Sequence, residues 1–233
     1  MDGRTLWTAA LHGHFELAKM LLEADAIIES KGMKGWTPLT LAAFNGNSQA
    51  VKLLLDASAN VESMDSNGMT ALNWAASSGY AEVVKLLLEA KANIESKNRR
   101  RMTPLAQAAS KGHLEVVKLL LETKADVESQ DEKGMTPLTW SAFWGYSEVV
   151  KLLLEYKANV ESKDRRGLTA LTHAACRGHS EVVTLLVESN ADVNSTFNFM
   201  RFSGKTKALK CLLKFKTTVR LFYNKSNGFR NVC

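Results

Sequence analysis

A fixed step of 33 residues runs through most of this chain and limits its fold more than any composition does. Thr37, Thr70, Thr103, Thr136 and Thr169 keep that step, as do Gly13, Gly46, Gly79, Gly112, Gly145 and Gly178. Ala9, Ala42, Ala75, Ala108 and Ala174 keep it too, with Ser141 in the remaining slot. The prolines Pro38, Pro104 and Pro137 each follow one of those threonines. Self-similarity at such a period marks a stacked repeat architecture.

Each repeat reads as a helix pair. Thr136-Pro137-Leu138 sets a hydroxyl N-cap before a proline at the first helical position, where no N–H is needed. The small pairs Ala42-Ala43 and Ala75-Ala76 let backbones approach closely, and Gly145 is suited to end the first helix at positive φ. A second helix opens with an acid (Glu82, Glu115, Glu148, Glu181), which the helix dipole favours. Its stripe Val149, Val150, Leu152 and Leu153 lies on one face. Asn159 to Gly167 then supplies turn residues leading into the next pair. One such pair cannot hide its apolar face alone, so copies must stack.

The T-P-L segments, the Ala-Ala pairs and the string Gly112-His113-Leu114-Glu115-Val116-Val117-Lys118-Leu119-Leu120-Leu121, closed by Ala125-Asp126-Val127, resemble the ankyrin-repeat family over residues 1 to 196. The resemblance implies an all-α solenoid of helix-turn-helix repeats with β-turn, hairpin-like connections. Two departures stand out. Thr40, Asn73, Ala106, Thr139 and Thr172 replace the family's usual histidine after T-P-L, so its cap hydrogen bond is lost or remade. Ser58, Lys91, Lys124, Lys157 and Asn190 replace the family's usual glycine after the second helix, and a left-handed lysine costs on the order of 1 kcal/mol.

The expected organisation is six repeats over 1–31, 32–64, 65–97, 98–130, 131–163 and 164–196, then a degenerate capping repeat over 197–216 and a basic, mobile tail over 217–233. The first repeat lacks the turn segment that precedes the others. Gly204 to Lys214 echoes the second helix from Gly178 to Glu188. Charge divides along the same line. Residues 195–233 carry 9 basic and no acidic side chains, whereas 1–194 hold 21 basic and 24 acidic ones. The net charge of +6 is therefore a property of the tail.

Composition removes several classes. A 45% hydrophobic content supports a folded core, and apolar runs such as Leu53-Leu54-Leu55 are too short to span a bilayer. No apolar core of signal-peptide length follows Met1-Asp2-Gly3-Arg4, and 3 cysteines make no disulfide framework, so an intracellular chain, cytoplasmic or nuclear, is expected. His12 and His14 have no accompanying ligands at metal spacing. His14, His113 and His179 share one repeat position and read as structural, and Cys176 is matched elsewhere by Ser77, Ser110 and Phe143. Gly204-Lys205-Thr206 resembles the end of a phosphate loop, but Phe199 stands where its first glycine belongs. Neither catalytic, cofactor nor metal residues are expected, and no small-molecule substrate.

Family resemblance implies protein binding through the concave surface of turn tips and first helices. Projected onto this chain, the variable positions with the most binding chemistry are, at the turns, Trp36, Met69, Arg99, Arg100, Met102, Met135, Arg165 and Arg166. On the first helices they are Phe44, Lys111, Phe143, Trp144 and Arg177. Phe143 is read as either binding or packing, whereas Trp74 and Trp140 are read as core. Aromatics and arginines favour a protein partner with an acidic, aromatic-containing surface, bound by a monomer. The alternatives are nucleic-acid or anionic-membrane binding through the tail, whose nine positive charges interleave with aromatics, and service as the substrate-recognition subunit of a larger enzyme.

Overall fold

The computed structural model describes residues 4–202, which divide between Pro137 and Leu138 into two compact units. The expected cap over 197–216 lies mostly outside the described residues, and the tail over 217–233 lies wholly outside them. Among the described residues there are thirteen α-helices and no strands.

The N-terminal unit holds four helix pairs: α1 (Arg4–His12) with α2 (Phe15–Glu23), α3 (Pro38–Phe44) with α4 (Ser48–Asp56), α5 (Ala71–Ser78) with α6 (Ala81–Glu89), and α7 (Pro104–Lys111) with α8 (Leu114–Glu122). First helices pack on first helices in the order α1, α3, α5, α7, and second helices in the order α2, α4, α6, α8. The shared core is built on a leucine that recurs from repeat to repeat. Leu6, Leu39, Leu72 and Leu105 form one file, and Leu54, Leu87 and Leu120 another, all among the largest fully buried side chains. The alanine pairs between them are likewise buried, which keeps neighbouring first helices close.

The hydroxyl caps form as the sequence implies. Thr37, Thr70 and Thr103 sit in extended backbone and accept the N–H of Thr40, Asn73 and Ala106 at 3.3, 3.3 and 3.2 Å. The bond that the family's histidine supplies is remade at two of these sites. The Thr37 N–H donates to Thr40 Oγ1 at 2.8 Å, and the Thr70 N–H to Asn73 Oδ1 at 3.0 Å. At Ala106 no side chain can return the bond, and Thr103 Oγ1 instead meets Ser129 Oγ at 3.0 Å.

Gly79 ends α5 at φ 83°, and here the glycine is needed twice over. A Cβ there would lie 2.6 Å from His113 Nδ1. The His113 ring folds over this glycine so that its Nε2–H donates to the Ser77 carbonyl of the preceding repeat at 3.1 Å. Asn47 fills the same role in an earlier helix pair, donating from Nδ2 to the Ala10 carbonyl at 3.0 Å. These side chains tie repeats together, as their recurrence in register implies.

Two further bonds recur along the unit. The N–H of Asn60, Asn93 and Asp126 donates to Glu29, Glu62 and Glu95 Oε1 at 2.8, 2.7 and 2.8 Å. At the turn tips, the N–H of Ser66, Arg99 and Glu132 donates to the carbonyls of Lys34, Asn67 and Arg100 at 2.8, 2.9 and 2.9 Å. Within each turn a single side chain gathers two amides: Asp65 Oδ1 accepts from Asn67 and Met69, and Asn98 Oδ1 from Arg100 and Met102.

The C-terminal unit contains α9 (Pro137–Trp144, from Leu138 onward), α10 (Ser147–Glu155), α11 (Ala170–Arg177), α12 (Ser180–Glu188) and α13 (Val193–Phe202). Leu138, Leu153, Leu171 and Leu186 continue the leucine pattern in its interior. His179 lies over Gly145 and donates from Nε2 to the Phe143 carbonyl at 3.2 Å. The Asp192 N–H donates to Glu161 Oε1 at 2.7 Å. α13 crosses the junction drawn at 196; it follows α12 and packs on α11, where earlier repeats make a turn. Asp192 Oδ1 accepts the N–H of Asn194 and Ser195, which starts that helix, while Phe197 and Met200 stand where Asp164 and Gly167 bend the preceding copy. Without those turn residues the chain continues as helix.

The residues that replace glycine after the second helices are left-handed, as expected. Ser58, Lys91, Lys124, Lys157 and Asn190 have φ of 66°, 62°, 68°, 65° and 65°. The strain read from the sequence is present in the backbone.

Candidate functional site

In the N-terminal unit, the turn before α3, the end of α3 and the middle of α5 bring three aromatic rings together. Trp36 lies 5.1 Å from Phe44 and 4.8 Å from Trp74, and Phe44 lies 5.1 Å from Trp74. Edge-on geometry between Phe44 and each tryptophan is the favourable one for ring quadrupoles. Trp74 Nε1 donates to Asp65 Oδ2 at 3.2 Å, so the turn carboxylate also orients the indole. Trp74 is thus half-buried in the cluster rather than in the core, while Phe44 stays 37% exposed.

Arg99, Arg100 and Lys111 are exposed, the two arginines on a turn whose backbone is held on both sides by the tip-to-tip bonds. Met102 is half-buried. Met69 and Met135, expected at the binding surface, are instead buried, at 5% and 3% exposure. Each directly precedes a threonine that opens a first helix, and here the side chain turns inward. Met69 Sδ there meets Asn98 Nδ2 at 3.4 Å and Gln107 Nε2 at 3.5 Å. Neither methionine presents surface to a partner.

In the C-terminal unit, α9 and α11 build a second cluster around Phe143. Its ring lies 5.8 Å from Trp140, 5.1 Å from Trp144 and 5.5 Å from His173. The Arg177 guanidinium sits over Phe143, 3.6 Å from the ring centroid, and 5.1 Å from that of Trp144. Phe143 both packs and shows a face, being half-buried, whereas Trp144 is 46% exposed. Trp140 is half-buried too, so it also departs from the expected core position.

Beneath this cluster is a polar pair absent from the expected site. His173 Nε2 lies 3.0 Å from Asp164 Oδ2, with both side chains almost fully buried. Asp164 Oδ1 accepts the N–H of Arg166 at 2.8 Å and of Leu168 at 2.9 Å, and the Arg166 guanidinium reaches Oδ2 at 3.4 Å. The contacts therefore run from Arg166 through Asp164 and His173 to Phe143 and Arg177. Arg165 is exposed beside them. A signal for the missed pair was present: an acid at the turn stands nine residues before the helix residue it bonds, Asp65 to Trp74 and Asp164 to His173.

Burial pushes the Asp164 carboxyl up. The Leu168 N–H, the His173 ring and the Arg166 N–H outweigh it, holding the group below its ordinary value of 3.8. A depressed carboxylate stabilises the fold above its unfolded value, and that contribution is lost as pH falls through the folded one. Asp164→Asn keeps an oxygen for the two turn amides, as Asn98 does, but removes the charge. The melting temperature of wild type is expected to exceed that of Asp164→Asn at about pH 6, with the gap shrinking as pH drops below 3.8. Thermal scans across that range check it, and a gap that grows on acidification would refute the assignment.

Among the described residues, no three His, Cys, Asp or Glu side chains gather into a metal-sized group, and no helix is long and apolar enough to cross a membrane. The family model for ankyrin repeats (three copies) matches residues 6–98 and again 105–197. The chain belongs to the ankyrin-repeat family. Members of this family generally act as protein–protein interaction modules. Comparison with curated proteins finds no match. Phe44, Trp144 and the exposed Arg99, Arg100, Arg165, Arg166 and Arg177 stand at the ankyrin turns and first-helix ends, while the repeating leucines and alanines are taken up by the stack.

Proposed function

We propose that this ankyrin-repeat protein is a non-enzymatic binding module that captures a partner protein through its turn edges and first-helix ends. The observation that carries the reading is the stack of Trp144, Phe143 and Arg177. A large indole is left in water beside an exposed guanidinium that lies over the Phe143 ring. Tryptophan and arginine dominate the energetics of protein interfaces, and packing does not require either to be placed here. The Trp36–Phe44–Trp74 cluster offers a comparable apolar plate on the N-terminal unit.

The exposed Arg99, Arg100 and Lys111, with Arg165, Arg166 and Arg177 on the other unit, favour an acidic partner surface. A monomer suffices for this role, in an intracellular setting, and no cofactor is called for.

The test is affinity capture at rising salt with wild type and two double variants. Arg99→Glu with Arg100→Glu should weaken capture by about tenfold at low ionic strength, with the deficit narrowing as salt screens the exposed charges. Phe143→Ala with Trp144→Ala should lose specific partners at every salt concentration. An identical set of captured proteins from all three would refute the choice of surface.

A further inference from the structure

We infer that Arg177 reads a carboxylate, and that the C-terminal unit takes an acidic peptide segment in which Asp or Glu stands beside an aromatic residue. This rests on the binding role proposed above and names the ligand chemistry of its second cluster.

Arg177 is held against aromatic faces. Its guanidinium lies 3.6 Å from the Phe143 centroid, a stacking distance, and 5.1 Å from that of Trp144. Stacking occupies the flat face of the group and leaves the in-plane N–H donors directed outward. Among the described residues no carboxylate pairs with it. The nearby acid, Asp164, is already engaged by two turn amides, by His173 and by Arg166. The Asp164 charge is therefore answered within the turn, and among the described residues the exposed Arg177 fork is left open to an outside carboxylate.

A planar guanidinium fork matches a carboxylate by two parallel bonds. Beside it the Trp144 indole, 46% exposed, offers a flat apolar surface on which a ligand ring can stack. Exposed Arg165 and Arg166 add positive charge without competing for the same apolar surface. Charge complementarity and the adjacent plate together select an acidic residue next to an aromatic one.

The experiment uses the full chain and a fluorescein-labelled, end-blocked peptide of alternating Glu and Phe, read by fluorescence anisotropy. Counterpart peptides carry Gln for Glu or Ala for Phe. Wild type should bind the Glu–Phe peptide about tenfold more tightly than the Gln–Phe one. Arg177→Lys should cut that preference to about twofold, since lysine and the neighbouring Arg165 and Arg166 keep the charge but lysine has neither the fork nor the stack. Trp144→Ala should erase the preference for Phe over Ala, while Lys151→Ala on α10 should change nothing. Circular dichroism of each variant verifies the fold.

Equal affinity for the Glu and Gln peptides, or wild-type behaviour of Arg177→Lys, overturns the inference. Absence of binding to every peptide overturns it as well. In either case the partner capture that depends on Phe143 and Trp144 is judged separately, so the ligand assignment fails without deciding the fate of the surface.

Discussion

Leu72→Ala is expected to destabilise the N-terminal unit by about 3 kcal/mol, the mid-range cost of truncating a leucine in a well-packed core. Leu72 is fully buried on α5, in file with Leu39 and Leu105 on the helices that flank it. The hole would be walled by rigid helices already held close by alanine pairs, so little collapse can fill it. Among the described residues of this unit the strongest helix contacts are with the pair partner and the adjacent pairs, so the damage should be local at first. Hydrogen exchange should accelerate most in α3, α5 and α7, and least in α1. Urea unfolding supplies the magnitude. A cost below about 1 kcal/mol would mean that the leucine file does not carry the stack.

The opposite sign is expected for Lys91→Gly, Lys124→Gly and Lys157→Gly combined. Each lysine has positive φ, where an L side chain crowds its own carbonyl. Glycine removes that penalty but adds freedom to the unfolded chain, leaving a net gain of about 0.5–1 kcal/mol per site. The three sites belong to different helix pairs, so their effects should add to about 2 kcal/mol. The midpoint of chemical denaturation should rise while its slope stays constant. A lower midpoint would show that these lysines make compensating contacts through their side chains.

The backbone of this protein was legible because its signals are local and repeated. A threonine before a helix, a glycine after it and a missing glycine at the next break each act within a few residues. The structure places caps, left-handed glycines and left-handed lysines where those signals stand. Side-chain direction at the variable positions was not legible in the same way. Met69 and Trp36 occupy one repeat position, yet Met69 is buried beneath the next turn whereas Trp36 is half-buried in an aromatic cluster. Periodicity gives register, and only the neighbours' volumes decide which way a side chain turns. The Asp164–His173 pair was hidden for a related reason: one member belongs to a turn and the other to a helix, and each alone reads as ordinary.

The glutamate bonds described for the fold have a consequence for how such a chain can change length. Each acceptor reaches a donor 31 positions ahead, and the pattern recurs within both units. Removing or duplicating one complete copy hands every orphaned acceptor an equivalent donor from the following copy. A cut of any other size strands both. Growth and shrinkage by whole modules is thereby built into the wiring, and a gene encoding it can gain or lose copies without new interfaces having to be invented.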